Sequence, residues 1–325
     1  MTADKAAPKD GRRAALQRWL AQCYPHASTL RPVAADAGSR RYFRFDTDNG
    51  TRVAVDSPPE REDNATFLSI SAELAAAQVR VPAQFEADLV QGFLVMEDFG
   101  DTLFAAHTGG PDASAWYARA VDLLVSLHRL NPATRVRYDR TLIARELDQF
   151  PRHYLAAFNH RLTPAEARQW ADLCAWLADA FEDGPAVWTH RDFHCRNLLV
   201  LEDQTLGVID YQGALSAPPG YDLASLLRDC YVGLPETVFE HALAHYADTQ
   251  GTDLERLRLG VDRLGLQRHL KCLGAFVRFA RELDKPQFLP ALPLTERYVR
   301  DVAARYPAAH WLGELLDRHP ASALA

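Results

Sequence analysis

The chain has 325 residues, of which 48% are hydrophobic and 24% charged, and its formal net charge is -7. One hydrophobic core rarely grows to this size, so we expect two domains with a cleft between them. The acidic balance argues against a general nucleic-acid binder, which needs a basic face to neutralise phosphates. No segment approaches the roughly 20 apolar residues of a membrane span, and the N-terminus lacks the apolar centre of a signal peptide. We therefore expect a cytoplasmic protein without a membrane or nucleic-acid partner. We also expect it to act as a monomer.

The first hundred residues predict a small β-sheet with helices. Residues 12–24 and 64–79 place apolar side chains at helical spacing. Between them, two extended runs meet at Asp48-Asn49-Gly50, and Asn-Gly between alternating runs is a strong hairpin signal. Residues 83–101 then predict two further strands around a turn near Gln91-Gly92.

From Trp116 onward, long helical patterns dominate the chain, over residues 116–130, 145–158 and 164–182. Thr163 and Glu166 have the spacing of a capping box, which is ordinary helix initiation. Two short β-like runs, NLLVL and LGVIDY, interrupt these helices. The sequence therefore predicts an α+β fold with a small β-rich N-terminal lobe, residues 1–97, and a larger, mainly α-helical C-terminal lobe, residues 98–325.

A dense polar cluster, THRDFHCRNLLV, precedes the first of these short β runs. Within it Asp192 and Asn197 form the pattern D-x-x-x-x-N, and Asp210 follows after the next strand. One carboxylate can orient and deprotonate an attacking hydroxyl, while a carboxamide and a second carboxylate offer magnesium hard oxygen ligands. This set suits phosphoryl transfer from ATP with Mg²⁺. His194 and Cys195 raise a zinc alternative, but no distant Cys/His pair completes a closed site, so we expect them, like His190, to have packing or supporting roles.

These residues carry a family resemblance. HRDFHCRNLLV followed by GVIDYQGALSAPPGYDLASLLRD resembles the catalytic segment of the aminoglycoside phosphotransferase and choline kinase superfamily, which has a protein-kinase-like fold. VDSPPERED, RELDQFPRHYL and IDYQGALSAPPGYDLASLLRDCY further resemble the anomeric kinases that phosphorylate N-acetylmuramate and N-acetylglucosamine at C1 in cell-wall recycling. The resemblance covers roughly Arg31 to Lys285.

The resemblance implies a role for several residues of this chain. Asp192 corresponds to the catalytic base, and Asn197 and Asp210 to the magnesium ligands. Asp222 matches an aspartate that supports the catalytic loop. The link LVMEDFG corresponds to the segment whose backbone holds adenine, and its candidate residues are Met96, Glu97 and Phe99.

The chain departs from protein kinases where these carry a phosphate-gripping lysine. RVAVD occupies the position of their V-A-I-K strand, so Asp56 stands roughly where the lysine belongs, and no lysine lies between Lys9 and Lys271. Another cation must act. In GSRRYFR, at the place of the glycine-rich loop, Arg40 and Arg41 are candidates to bind phosphates by their side chains.

The resemblance also suggests where the acceptor binds. Arg145, Glu146, Gln212 and Tyr221 are candidate contacts to a small-molecule amino sugar, each about as readily explained by a structural role. LKCLGAFVRFARELDKP offers cations beside aromatic residues, which suits a neutral or anionic sugar better than a polycationic aminoglycoside. Two alternatives stay open: a kinase for an aminoglycoside, choline-like or other small alcohol, and a nucleotide-binding pseudokinase, which the missing lysine would favour.

Overall fold

The computed structural model describes residues 7–33 and 39–325, and the chain divides into two compact units. The first unit holds the described residues up to Asp101 together with Leu201–Gln212, and the second holds Thr102–Val200 and Gly213–Ala325. The sequence predicted a boundary at residue 97, with no later segment in the first unit. In the structure Leu201–Gln212 is tied to that unit by a hydrogen bond from the Val208 N–H to the carbonyl of Arg80 at 2.8 Å.

The secondary structure alternates between short strands and helices in the first unit and is mainly helical in the second. The strands are β1 (Arg31–Pro32), β2 (Arg41–Thr47), β3 (Gly50–Asp56), β4 (Gln84–Asp88), β5 (Phe93–Glu97), β6 (Val187–Thr189), β7 (Leu198–Val200), β8 (Leu206–Val208) and β9 (Leu215–Ala217). The helices are α1 (Ala7–Cys23), α2 (Asn64–Ala76), α3 (Ala113–His128), α4 (Arg140–Leu147), α5 (Pro164–Ala180), α6 (Gly220–Leu227), α7 (Glu236–Gln250), α8 (Leu254–Glu282), α9 (Leu292–Arg305) and α10 (Trp311–Arg318). None of the helices in the described part of the chain is long and apolar enough to cross a membrane.

The first unit is built on a five-stranded antiparallel sheet with the order β1-β2-β3-β5-β4. The predicted hairpin is confirmed, since β2 and β3 pair from Arg41 opposite Asp56 to Thr47 opposite Gly50. Alternation along β2 turns Phe43 and Phe45 into the core. They pack there with Leu16 and other apolar side chains of α1 and β5. Helix α2 begins at the N-cap Asp63, whose carboxylate accepts from the backbone N–H of Thr66 at 2.9 Å.

The second unit is organised around α8, a helix of 29 residues whose middle is buried on nearly all sides. Gly274 lies where α8 meets the segment after α4, and a Cβ there would be 2.0 Å from the carbonyl oxygen of Gln149. The capping box is confirmed at the start of α5, where Thr163 and Glu166 each accept from the other's backbone N–H. Strands β6 and β9 pair antiparallel in this unit.

One predicted helix is wrong in its extent. The helical pattern over residues 145–158 breaks after α4 ends at Leu147, and Phe150–Tyr154 forms a π-helical turn followed by a 3₁₀ turn. Pro151 lies at the break, and it has no N–H to continue the α-helical hydrogen bonds. The strands β1, β6 and β9 were not predicted from the sequence.

Candidate active site

The polar cluster of the sequence forms the loop between β6 and β7, in the second unit. The fully buried carboxylate of Asp222, on α6, accepts from the backbone N–H groups of His190 at 2.6 Å and Arg191 at 2.9 Å. Arg191 has φ +80°, a conformation that a non-glycine residue adopts only when its surroundings hold it there. Asp222 therefore fixes the backbone just before Asp192, the supporting role that the resemblance implied.

Asp192 presents a partly exposed carboxylate from this loop. Its side chain is 39% exposed, and Oδ1 accepts from Nη1 of Arg268, on α8, at 3.0 Å. Among the described residues nothing donates to its other oxygen, Oδ2. Burial alone would raise the pKa of the Asp192 carboxyl, but the charges of Lys271 and Arg268 lower that pKa below its ordinary value. The carboxylate is thus ionised at neutral pH, with one oxygen positioned to accept a hydrogen bond.

Asn197 is tied to the same loop by its side-chain amide. Its Nδ2 donates to the backbone carbonyl of Asp192 at 2.9 Å, and its own N–H donates to the carbonyl of His194 at 2.9 Å. With Nδ2 used in this way, Oδ1 is the atom that Asn197 can offer to a metal. An amide oxygen is a hard ligand of the kind that magnesium takes, so the residue fits the predicted role.

The histidines and the cysteine of the cluster are held by the protein. Nδ1 of His190 accepts from the Asp192 N–H at 3.3 Å, and the His194 ring lies 5.3 Å from the ring of Tyr231. The Cys195 N–H donates to Asp229 at 2.9 Å, and burial raises the pKa of the Cys195 thiol. Across residues 7–33 and 39–325, no three His, Cys, Asp or Glu side chains gather into a metal site. The contacts fit the supporting roles expected for these residues.

The candidate acceptor residues Glu146 and Tyr221 lie inside the second unit. Glu146 is 6% exposed and accepts from Tyr138 Oη and Arg191 Nη2, with Lys271 Nζ at 3.6 Å. Burial would raise the pKa of the Glu146 carboxyl, but Lys271 and Arg191 outweigh it and hold that pKa at about 2. Tyr221 is fully buried, and its hydroxyl lies 3.4 Å from both Tyr138 Oη and Lys271 Nζ. Glu146 therefore holds the Arg191 guanidinium, and Tyr221 joins the same buried network through Tyr138 and Lys271.

Arg145 is separated from its sequence neighbour by the turn of α4. It is exposed, whereas Glu146 points into the protein. Arg145 makes no hydrogen bond or ion pair with the described residues of the chain. Of the pair, only Glu146 reaches the catalytic loop, through Arg191.

Sequence reasoning missed three members of this buried network, Tyr138, Gln267 and Arg268. Gln267 Nε2 lies 3.3 Å from Tyr138 Oη and 3.3 Å from Glu146 Oε2. A signal was present in LGLQRHLKCLGAF, where polar residues interrupt the apolar face of a helix long enough to be central. Buried polar residues of this kind need partners, and here the partners are the catalytic loop and α4.

The first unit holds the nucleotide candidates, and Arg40 and Arg41 differ sharply within it. Arg40 is 7% exposed; its Nε donates to Ser57 Oγ at 3.0 Å, and its Nη2 lies 3.2 Å from Glu62. Its Nη1 is buried without a hydrogen-bond partner among the described residues. Arg41 instead donates to the fully buried carboxylate of Asp56. Gly38 of the same loop lies outside the described residues.

Tyr211, the residue after Asp210, belongs to a stack of side chains that includes Arg40, within the first unit. The Arg40 guanidinium lies 4.8 Å from the centre of the Phe67 ring, which stacks on Tyr211 with centroids 5.3 Å apart and planes 7° apart. Asp210 precedes Tyr211, has φ +64°, and accepts from Gln212 Nε2 at 2.5 Å. Gln212 thus contacts Asp210, the candidate metal ligand. The carboxylate of Asp210 is a hard oxygen donor suited to magnesium.

The link residues Met96, Glu97 and Phe99 contact other parts of the first unit. Glu97 pairs with Arg80, Oε2 to Nη1 at 2.7 Å, and its N–H donates to the carbonyl of Ala83 at 2.8 Å. Phe99 lies against Gly207, where a Cβ would be 2.5 Å from the ring. Met96 pairs with Val53 in the sheet. Adenine binding by the backbone of Met96, Glu97 and Phe99 stays a prediction.

Residues 29–259 match the phosphotransferase enzyme family. The chain is 33% identical to the N-acetylmuramate/N-acetylglucosamine kinase of Pseudomonas aeruginosa, over 97% of this chain and 99% of the relative. It is also 33% identical to the N-acetylmuramate/N-acetylglucosamine kinase of Pseudomonas putida, over 92% and 91%.

The solved structures bear on the fold alone. A choline/ethanolamine kinase family protein from Mesorhizobium loti superposes with a TM-score of 0.64 at 18% identity, covering 93% of this chain and 96% of that one. A small antiparallel sheet unit and a larger helical unit are what the α+β, protein-kinase-like expectation required. That expectation is confirmed.

Proposed function

This chain belongs to the phosphotransferase enzyme family, and from that premise we propose that it transfers the γ-phosphoryl group of ATP to the anomeric C1 hydroxyl of N-acetylmuramate and N-acetylglucosamine. Two relatives that are similar over more than nine-tenths of their length carry the name N-acetylmuramate/N-acetylglucosamine kinase, which supports the two sugars. The proposal places the reaction in the cytoplasm, where ATP is available. Action as a monomer stays a prediction.

The observation that carries the proposal is the state of Asp192. Its carboxylate is partly exposed and ionised, and Oδ2 has no donor within the described part of the chain. Such an oxygen can accept the hydrogen bond of the C1 hydroxyl, orient it towards the γ-phosphorus and take its proton. The new P–O bond forms as the bond from the γ-phosphorus to the β,γ-bridging oxygen breaks and ADP leaves. An anomeric hydroxyl is more acidic than an ordinary alcohol, so a weakly basic carboxylate is sufficient.

The magnesium roles fall on Asn197 and Asp210. Each offers a hard oxygen, Oδ1 of the oriented amide in the second unit and the carboxylate of Asp210 in the first, and each is the kind of ligand that Mg²⁺ takes beside phosphate oxygens and water. Held by these two residues, magnesium would supply positive charge that neutralises the phosphates. In this proposal Asn197 and Asp210 hold the magnesium that accompanies the nucleotide, while Asp192 orients the acceptor hydroxyl.

Arg40 is the side chain we propose for the phosphates on the protein side. Its guanidinium is held rigidly by Ser57, Glu62 and Phe67, and Nη1 is a donor with no partner among the described residues. Arg41 is taken up by Asp56. A buried cation fixed in this way could take the place of the missing lysine, which weakens the main argument for a pseudokinase.

The test is magnesium-dependent consumption of ATP with a panel of acceptors. We expect turnover with N-acetylmuramate and N-acetylglucosamine, a phosphorus NMR signal of a sugar 1-phosphate, and no product from the C1-methyl glycosides. Turnover of choline or an aminoglycoside, with no turnover of either amino sugar, would show that the enzyme acts on a different acceptor. ATP binding without turnover of any acceptor would restore the pseudokinase alternative.

A further inference from the structure

Arg268 is an unusual side chain to find beside the loop of Asp192. It lies in the middle of α8, is 3% exposed, and points at the catalytic loop from the side of the helical unit. Its Nη1 donates to Asp192 Oδ1 at 3.0 Å and to the backbone carbonyl of Arg191 at 3.3 Å. One guanidinium nitrogen therefore touches both the carboxylate and the backbone that carries it.

Among the described residues, Asp192 is the one carboxylate partner of Arg268. The Nε of Arg268 is buried without a hydrogen-bond partner there, as is the Nε of Arg263 on the same helix, so the choice of partner is what distinguishes Arg268. Burying a guanidinium costs free energy that only good pairing offsets, and apolar replacements of buried ion pairs are often neutral or stabilising. Packing of α8 alone does not account for the residue.

The neighbouring cations have other partners. Arg191 donates to Glu146, and Lys271 lies 3.6 Å from Glu146 and 3.4 Å from Tyr221 Oη. Arg268 is thus the one cation that binds the Asp192 carboxylate directly among the described residues. It donates to one carboxylate oxygen of Asp192, Oδ1, and leaves the second oxygen, Oδ2, available to another donor.

We propose that Arg268 is a positioning residue that holds Asp192 by Oδ1 so that Oδ2 faces the acceptor hydroxyl. The inference rests on the proposed function, since it needs a hydroxyl to be oriented. Arg268 acts through Asp192 and touches neither nucleotide nor sugar. A carboxylate on a loop can rotate about χ2, and fixing one oxygen selects the rotamer in which the other is aligned for attack.

A double-mutant cycle tests this. We expect Arg268→Met to lower kcat by about 100-fold, as misplacement of a reacting group does, and to leave KM for ATP within about twofold. Arg268→Lys keeps a donor on a shorter reach and should recover part of kcat. In an Asp192→Asn background, Arg268→Met should lower kcat no further, because the group through which it acts is already disabled.

Arg263 supplies a matched control on the same helix. It is also a buried arginine, but it pairs with Asp183 at 2.6 Å and donates to the carbonyl of Trp176. Arg263→Met should lower the Tm and leave kcat unchanged. A purely structural role for Arg268 would make its variants resemble this one.

The outcomes separate this inference from the function on which it rests. No wild-type turnover with either amino sugar would remove the proposed function. Wild-type turnover with multiplicative losses in the Asp192→Asn/Arg268→Met double variant would remove only the role of Arg268. The same holds if kcat of Arg268→Met stays near the wild-type value, or if neither Arg268→Met nor Arg268→Lys folds at 25 °C while Arg263→Met does.

Discussion

Arg41 and Asp56 face each other across β2 and β3, and the guanidinium of Arg41 donates to the fully buried carboxylate of Asp56 from both Nε and Nη2. Arg12, on α1, pairs with the same carboxylate, with Nε 2.7 Å from Oδ1. The strand position that carries a lysine in protein kinases therefore holds an ion-pair centre here. This pairing is why we propose the neighbouring Arg40, and not Arg41, as the phosphate-binding side chain.

The two adjacent arginines should differ in which measurement they change. Arg40→Met should raise KM for ATP at least about tenfold, because it removes a charge-assisted donor. Arg41→Met should leave KM for ATP nearly unchanged and lower the free energy of unfolding by about 1–3 kcal/mol, since it leaves Asp56 with Arg12 alone. Steady-state kinetics and urea denaturation check both. The reverse assignment of effects would transfer the phosphate role to Arg41.

Asp192→Asn should lower turnover by at least about 100-fold while nucleotide binding persists. The carboxamide keeps the size of the side chain but cannot accept a proton. Turnover is read from sugar phosphate formed, and binding from the rise in Tm with ATP and magnesium. Near-normal turnover would take Asp192 out of its role.

Asn197→Ala and Asp210→Ala should each raise the magnesium concentration needed for half-maximal turnover, because each loses one hard oxygen ligand. Titration of ATP consumption against magnesium, with chelator-treated protein, gives this value directly. Asn131→Ala is a matched amide control, since its side chain accepts from the Ala133 N–H in an exposed turn. An unchanged magnesium requirement in either site variant would exclude that residue as a ligand.

The buried Glu146 predicts a pH dependence of stability. Its pKa is held at about 2 in the folded protein, below the ordinary 4.5, so the unfolded chain binds the extra proton on acidification. The stabilisation is fully present above pH 4.5 and is lost as the pH falls towards about 2. Its upper bound is about 3 kcal/mol.

Urea denaturation of the wild type and of Glu146→Gln across this pH range measures that contribution. The difference in unfolding free energy should be largest above pH 4.5 and shrink as the pH falls. A difference that stays constant with pH would mean that the carboxylate charge is not what stabilises the cluster.

Two glycines of α8 should respond oppositely to alanine. At Gly274 a Cβ would meet the Gln149 backbone at 2.0 Å, so Gly274→Ala should cost about 1–3 kcal/mol of stability. Gly260, in the same helix, has nothing within 4 Å of a Cβ, and Gly260→Ala should stabilise by about 0.5–1 kcal/mol. Thermal unfolding distinguishes them, and equal effects would contradict the close contact at Gly274.

Sequence patterns predicted those parts of the fold that are determined by neighbouring residues along the chain. The Asn49-Gly50 turn, the helical spacing of α2 and the Thr163 capping box each depend on a few adjacent residues, and the structure has all three. The extent of α4 could not be read in the same way. Periodicity continues across Pro151, while the missing N–H changes the hydrogen bonding to a π-helical turn.

The site was predictable where spacing along the chain carries the chemistry. Asp192 and Asn197 lie five residues apart in one loop, and Asn197 Nδ2 binds the Asp192 carbonyl. Arg268 comes 76 residues after Asp192, and only the packing of α8 brings the two together. The same limit applies to Arg40 and Arg41, which the sequence could not tell apart because the choice depends on the buried partner, Asp56.

The contact between Gly274 and Gln149 sets the rotational phase of α8. Arg268 and Lys271 lie on the same helix, six and three residues before Gly274. Inserting or deleting one residue between them would turn both cations by about 100° about the helix axis. Arg268 would then miss Asp192, and Lys271 would miss Glu146. Substitutions on the exposed side of α8 leave this phase intact, whereas a change in its length over these few residues would disable the enzyme without altering one side chain of the catalytic loop.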